Sequence, residues 1–407
     1  MVKKILFYAT YPTQSNGYAR IGNMLSNYLA EDNDLEIYYF GISNFDIKIN
    51  RFINKKIKLI DVLVEEKKIK SEEIYGVDII NNFLESIKPD IFFIYNDIIV
   101  ISRLYNSMIN CKWKCKNIIY CDLVYDYQNY EMIKHVERHT DIIIVFSDWW
   151  KENLLRMNVN PSKIHVIPHG YDNRFFRIND KEKIKDIKKS LGFNEEDFII
   201  LNSNRNNYRK CIDITIRAFL IFLKKFNLKK DIKLFLNCFF EVANGYDIFN
   251  LVKIECLRLD LDYNYIIYNH IFKFGNSGVI SDSQLNDLYN LCDIGVNTCG
   301  GEGFGLCNLE HACTGHPQIV SDVGGLHDIF KEHGNLIKPK SSFYIASIVD
   351  WHGGDFKICD PEDFALAFEK YYLNRNLIEE EGMKLEHDLL EKYSIKYFLN
   401  EFKKFFI

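Results

Sequence analysis

What this sequence lacks narrows its class. Its 407 residues contain no run approaching the ~20 apolar positions that a membrane span needs. The start, Met1-Val2-Lys3-Lys4 followed by Ile5 to Ala9, is too short an apolar stretch for a secretory signal. Thr10 to Pro12 ends it without a small-residue cleavage site, and it reads as a buried first strand. No charge of one sign dominates: the net value of -5 argues against wholesale non-specific binding of nucleic acid. There is no cysteine framework either. Eleven cysteines, an odd number, are scattered along the chain, which points to reduced thiols in a cytoplasm-like compartment. Cys111, Cys115 and Cys121 lie near one another, but their spacing is a poor zinc pattern and no paired histidines complete it.

What is present is an ordinary globular composition, 47% apolar and 26% charged. Single cores stop growing near ~250–300 residues, so two domains are expected. Along the chain, short apolar runs alternate with helical stripes. Strands are expected at Lys4–Thr10, Leu35–Phe40, Ile91–Tyr95, Asn117–Cys121, Ile142–Phe146 and Ile164–Ile167. Such nearly continuous runs suit parallel strands covered on both faces. A charged stretch from Arg177 to Lys189 reads as a linker and surface helix. The alternation then restarts with strands at Phe198–Asn202, Ile232–Asn237, Ile294–Thr298 and Gln318–Ser321. Ser281, with Gln284 three residues on, forms a capping box ahead of a helix. Two βα arrays in series predict an α/β chain of two doubly wound sheets, whose ligands sit beyond the carboxyl ends of the strands.

The most informative segment is Gly300-Gly301-Glu302-Gly303-Phe304-Gly305-Leu306-Cys307-Asn308-Leu309-Glu310. It follows a strand and opens a helix. Glycines let the backbone approach a ligand, and a helix start offers amides and a positive dipole end. Two glutamates with seven residues between them, around Gly-Phe-Gly, resemble the signature of retaining GT-B glycosyltransferases, above all glycosyltransferase family 4. The resemblance runs from about Phe274 to Asp328 and includes Gly315-His316-Pro317 and the Gly324-Gly325 turn. It continues at Asn204-Arg205 with Lys210, and at Ile167-Pro168-His169-Gly170-Tyr171-Asp172. It is similar in turn to glycosyltransferases of large DNA viruses.

The resemblance implies a GT-B fold, two Rossmann-like domains facing each other across a cleft. The domains would span 1–172, with a C-terminal helix 390–407 crossing back, and 173–389. The implied activity is retaining, metal-independent hexosyl transfer from a nucleotide-diphosphate sugar, UDP ahead of GDP. The acceptor, whether glycan, lipid, protein or small molecule, stays open. Glu302 and the Gly303, Phe304, Gly305 and Leu306 backbone would face the transferred sugar. Arg205 and Lys210 would neutralise the diphosphate, Glu310 would bind the ribose, and the Gly17 loop would add a donor contact. Cations aimed at charge developing on a leaving group are the strongest lever available, so no cofactor or metal is expected. Asn96, Asp97 and Asp122 follow strands of the first half and are candidate acceptor contacts. Cys121 stands where the family often has histidine, and Asp328 where it has glutamate. Trp351-His352-Gly353-Gly354 is expected as a variant loop near the cleft. The basic run Lys48, Arg51, Lys55, Lys56 and Lys58 reads as a solvated face, with anionic lipid or a phosphorylated acceptor as the alternative partner. His311 and the Trp149-Trp150 pair read as packing.

Three other functions fit parts of the pattern. Gly301-x-Gly303-x-Gly305, with Asp322 about twenty residues on, mimics a dinucleotide fingerprint and an NAD-dependent oxidoreductase, although the third glycine comes one residue early. A nucleotide-sugar epimerase would share the fold. A non-catalytic nucleotide-sugar binding module would share the site.

Overall fold

The apolar runs become the strands of two parallel sheets in a computed structural model that describes residues 2–45, 49–273, 280–333 and 335–407. Lys48 and 274–279, where the family resemblance begins, lie outside the described residues. The first sheet contains β1 (Lys3–Thr10), β2 (Leu35–Ile42), β3 (Lys58–Asp61), β4 (Ile91–Asp97), β5 (Lys116–Asp122), β6 (Ile142–Val145) and β7 (Ile164–Val166). Its strand order is β3-β2-β1-β4-β5-β6-β7. The second contains β8 (Phe198–Asn202), β9 (Ile232–Leu236), β10 (Ile271–Phe272), β11 (Ile294–Asn297), β12 (Gln318–Ser321) and β13 (Leu336–Ile337), in the order β10-β9-β8-β11-β12-β13. Both are Rossmann-like. In each, the chain builds outward from its first strand and then reverses, so the reversal falls between β1 and β4 in one and between β8 and β11 in the other. Ligands of such sheets bind at that switch point, beyond the strand carboxyl ends.

The chain divides into two compact units. The first comprises Met1–Gly170, Ile345–Gly354 and Ile395–Ile407; the second comprises Tyr171–Tyr344 and Asp355–Ser394. In the first unit, Ile5 to Ala9 and Phe92 to Ile94 are fully buried, as strands sandwiched between helices must be. The helix Ile395–Lys403 and the residues after it pack on one face of this sheet. Phe402 lies 5.9 Å from Phe93 and 4.7 Å from Tyr120, ring to ring, and Phe406 lies 5.4 Å from Phe93. Asn16 caps the helix Gly17–Leu29 by accepting from the Ala19 amide at 2.9 Å.

In the second unit, Phe198, Ile200, Ile232, Leu234, Ile294 and Val296 pack with Phe219, Phe222 and Phe368 into one core. The capping box expected at Ser281 is present: the Ser281 hydroxyl accepts from the Gln284 amide, and the Gln284 side chain accepts from the Ser281 amide.

The stretch expected as a variant loop is a hairpin. Strands β14 (Ser341–Ile345) and β15 (Gly354–Ile358) pair with each other, and residues 345–354 between them form part of the first unit. Asp350 accepts from the Tyr125 hydroxyl at 2.8 Å, and Trp351 stands edge-on to Tyr75 at 6.1 Å. No helix among the described residues is long and apolar enough to cross a membrane.

Candidate functional site

The loops leaving β8 and β11, the two strands at the second switch point, meet each other. After β8, Asn202 turns its side chain back to accept from both the amide and the side chain of Asn204. Asn207 accepts from the Arg209 amide at 2.8 Å and starts a short 3-10 turn, Tyr208–Lys210. This turn places Lys210 inside, only 8% exposed. After β11, Thr298 donates to the carbonyl of Cys211 at 2.8 Å, and Gly300 donates its amide to the carbonyl of Arg209 at 2.9 Å. The two loops are therefore laced together through backbone before any charge is counted.

The charges follow. The Lys210 ammonium pairs with Oε2 of Glu302, and both side chains are about one-tenth exposed. Arg209 donates from Nη1 to the carbonyl of Gly301 at 2.6 Å, and the same nitrogen lies 3.9 Å from Oε1 of Glu302. Burial alone would raise the Glu302 carboxyl. The Lys210 and Arg209 charges, with hydrogen bonds from Lys210 and Asn297, outweigh it and hold this acid below the usual glutamate range.

Glycine is required here by geometry. Gly305 has a φ of +102° and precedes the helix Leu306–Ala312. A Cβ on Gly325 would stand 2.5 Å from the Phe304 Cα and 2.6 Å from the Gly303 carbonyl oxygen. Two main chains thus touch, and the Gly325 amide donates to the Glu302 carbonyl at 3.1 Å. Glu310, the fifth residue of the helix, is 4% exposed and accepts from the Tyr289 hydroxyl at 3.1 Å. The Cys307 thiol in the first turn is pushed up to about 12 by burial and so stays neutral.

Of the residues expected from sequence at this site, Lys210, Glu302, Gly303, Phe304, Gly305, Leu306 and Glu310 are all on these two loops and the helix between β11 and β12. Arg205 is on the first loop but is exposed, and among the described residues no hydrogen bond or ion pair engages it. Its neighbour Asn204 reaches the helix start, with Oδ1 3.5 Å from the Cys307 sulfur. The cation facing Glu302 beside Lys210 is Arg209. Arg205 sits at the family-like spacing, which favours it on sequence alone; the signal for Arg209 is its adjacency to Lys210.

Gly17 belongs to the first unit, as the opening residue of its helix. There Asp97 and Asp122 end β4 and β5 directly opposite each other. The Tyr18 hydroxyl lies 2.7 Å from Asp97 and 2.5 Å from Asp122, which pushes its own pKa up, through burial first and then through the two acids. Tyr18, next to the noted Gly17, was not anticipated. Asn96 is buried, and its side chain accepts from the Asp97 amide at 2.9 Å. His169 is buried against Tyr120, 2.6 Å from its hydroxyl, and burial drives its pKa down to about 3. His311 is a packed histidine, stacked on Tyr289 at 5.3 Å.

A cavity of about 410 Å³ opens elsewhere in the second unit, lined among others by Asp293, His316, Arg375 and Met383. Asp293 precedes β11, so this cavity lies at the amino ends of the strands, and none of the switch-point residues lines it. Convergent charge and bare backbone, rather than volume, mark the candidate site.

Known proteins resemble this chain in sequence and in fold. Residues 260–351 match the family model described as glycosyl transferases group 1. An uncharacterized glycosyltransferase of Methanocaldococcus jannaschii is 27% identical over 257 residues, 62% of this chain and 56% of that protein. The chain spans about half the length of the curated relatives it matches. Among solved structures, sucrose-phosphate synthase of Thermosynechococcus elongatus superposes with a TM-score of 0.72 at 15% identity, covering 99% of this chain and 98% of that one. HepE of Anabaena, in complex with UDP-glucose, does so with a TM-score of 0.68 at 12% identity, covering 99% of each. Residues 260–351 thus resemble group 1 glycosyl transferases, and the two Rossmann-like domains share the GT-B fold of the solved neighbours.

Proposed function

We propose that this chain is a retaining glycosyltransferase that moves a hexose from a nucleotide-diphosphate sugar, UDP-linked ahead of GDP-linked, to an acceptor without a metal. The observation that carries the reading is the buried Lys210–Glu302 pair beside the Gly303–Gly305 turn at the second switch point. Breaking the bond between the sugar and the diphosphate builds negative charge on the leaving group. Lys210, Arg205 and the amides at the helix start are the groups that answer it. Glu310 is the acid for the ribose diol. The sugar carbon leaves the diphosphate oxygen, that oxygen takes the proton of the acceptor hydroxyl, and the acceptor oxygen bonds to the same face of the sugar. Glu302, held by two cations, acts as an electrostatic partner of the sugar rather than as a nucleophile. Asn96, Asp97 and Asp122 line the acceptor side.

UDP as carrier is supported by HepE, solved with UDP-glucose. The acceptor is a glycan, a lipid, a protein or a small molecule; sucrose-phosphate synthase is a relative by fold only. Eleven unpaired cysteines suit a cytoplasmic setting. The matches do not favour the dinucleotide-dependent or epimerase alternatives. Thermal-shift titration with UDP, GDP, their sugars and NAD tests the reading. Nucleotide diphosphates are expected to raise Tm, by about 2.7 kcal/mol of added stability at a hundredfold excess over Kd. A response to NAD alone, or to none of them, would overturn it.

A further inference from the structure

Resting on that reading, we propose that Arg209 is a positioning residue: a fixed counter-ion that keeps Glu302 and its loop in place while Lys210 exchanges Glu302 for the donor diphosphate. Three observations converge. Arg209 grips the loop twice, its carbonyl receiving the Gly300 amide at 2.9 Å and its Nη1 donating to the Gly301 carbonyl at 2.6 Å. The same nitrogen faces Oε1 of Glu302 at 3.9 Å, an ion-pair distance, while Lys210 occupies Oε2. All three side chains are about one-tenth exposed.

A diphosphate competes with Glu302 for the compact, flexibly mounted ammonium of Lys210. Were Lys210 the sole cation, its departure would leave a buried carboxylate uncompensated, a strongly unfavourable state. The guanidinium has donors to spare for a carbonyl and a carboxylate together. Tied to Gly301, it stays behind when Lys210 turns away.

Arg209→Met and Arg209→Lys are compared with the wild-type chain. In Arg209→Met, kcat is expected to fall about tenfold or more while UDP affinity changes less than about threefold. The acid limb of its kcat–pH profile is expected to move to higher pH, because Glu302 has lost a cation. Arg209→Lys, which keeps the charge and the backbone bond to Gly300 but not the guanidinium's simultaneous reach to Gly301 and Glu302, is expected to recover only part of kcat; it carries the comparison should Arg209→Met fail to fold. UDP affinity falling in step with kcat would overturn the proposal, since Arg209 would then hold the diphosphate itself. So would a kcat within twofold of wild type. A double-mutant cycle of Arg209→Met and Glu302→Gln on urea midpoints needs no turnover. Coupling is expected, and additivity would overturn the proposal. A wild-type chain indifferent to every nucleotide diphosphate would overturn both the transferase reading and the exchange at Lys210, whereas diphosphate binding with an additive cycle would overturn the counter-ion role alone.

Discussion

At the reversal of strand order, the first unit gathers two aspartates around a tyrosine, and the second gathers a lysine, an arginine and a glutamate around bare backbone. The topology is the same in both, so the difference lies in what the loops carry. In the first unit the acids are the final residues of neighbouring strands, set opposite each other by sheet register. Their polar partner Tyr18 comes from the helix that follows β1. In the second unit the charges stand beyond the strands, on a 3-10 turn and a glycine loop that hold each other through main-chain bonds. The first arrangement offers acceptors for hydroxyl groups. The second offers cations and amides for an anion. A sheet thus fixes where a ligand sits, and the loop sequence decides its charge.

The contrast can be broken most forcefully at Lys210. Lys210→Met should lower sugar transfer by about 10²–10³, the loss typical of removing one preorganised group at a developing anion. It should also destabilise the fold, because Glu302 is left with one counter-ion fewer. Transfer assays paired with calorimetry read both, and near-normal turnover would take Lys210 out of the site. A backbone test comes next. Gly325→Ala should cost about 1–3 kcal/mol, since its Cβ meets main chain that cannot rotate away. The Tm rise on adding UDP should shrink with it, and an unchanged response would show that the Gly303–Gly305 turn does not touch the donor.

The first unit is tested more gently. Tyr18→Phe removes the hydroxyl shared by Asp97 and Asp122. It should raise the acceptor KM several-fold, about 1 kcal/mol, and leave UDP affinity alone. Equal loss at both substrates would erase the division of labour between the two sites.

Acid separates the units last. Glu302 is held below the ordinary glutamate value. Its ion pair therefore contributes fully above about pH 4.3, and that contribution is lost only as pH falls through its lower folded value. His169 behaves differently: its pKa is driven down to about 3 by burial, so it stays neutral in the folded chain while the unfolded chain protonates below about 6.5. Stability due to His169 should decline as pH drops from about 6.5 toward 3, and His169→Gln should flatten that slope in urea titrations.

Much of this architecture was legible beforehand. Phe198–Asn202 and Gln318–Ser321 were readable to the residue because turn-forming or charged residues bound them directly, Asp197 and Ser203 in one case and Pro317 and Asp322 in the other. The Ser281 capping box was readable because its two hydrogen bonds depend only on local spacing. The edge strand Lys58–Asp61 was hidden inside a basic run, since an edge need not be apolar. The hairpin at 341–358 was missed because Ser341, Ser342 and Lys357 interrupt its apolar residues, and its contacts to Tyr125 and Tyr75 are far away in sequence. At the site, Lys210, Glu302 and Glu310 could be picked from spacing. Choosing between Arg205 and Arg209 could not be done that way, because a turn of a few residues decides which side chain faces inward.

The first unit is assembled from three stretches of chain, the last beginning only at Ile395. On a ribosome, nearly the whole second unit emerges before Phe402 and Phe406 exist to cover Phe93 and Tyr120. The earlier-made sheet therefore waits with an aromatic face uncovered until synthesis is nearly finished, the interval in which a chaperone would find it.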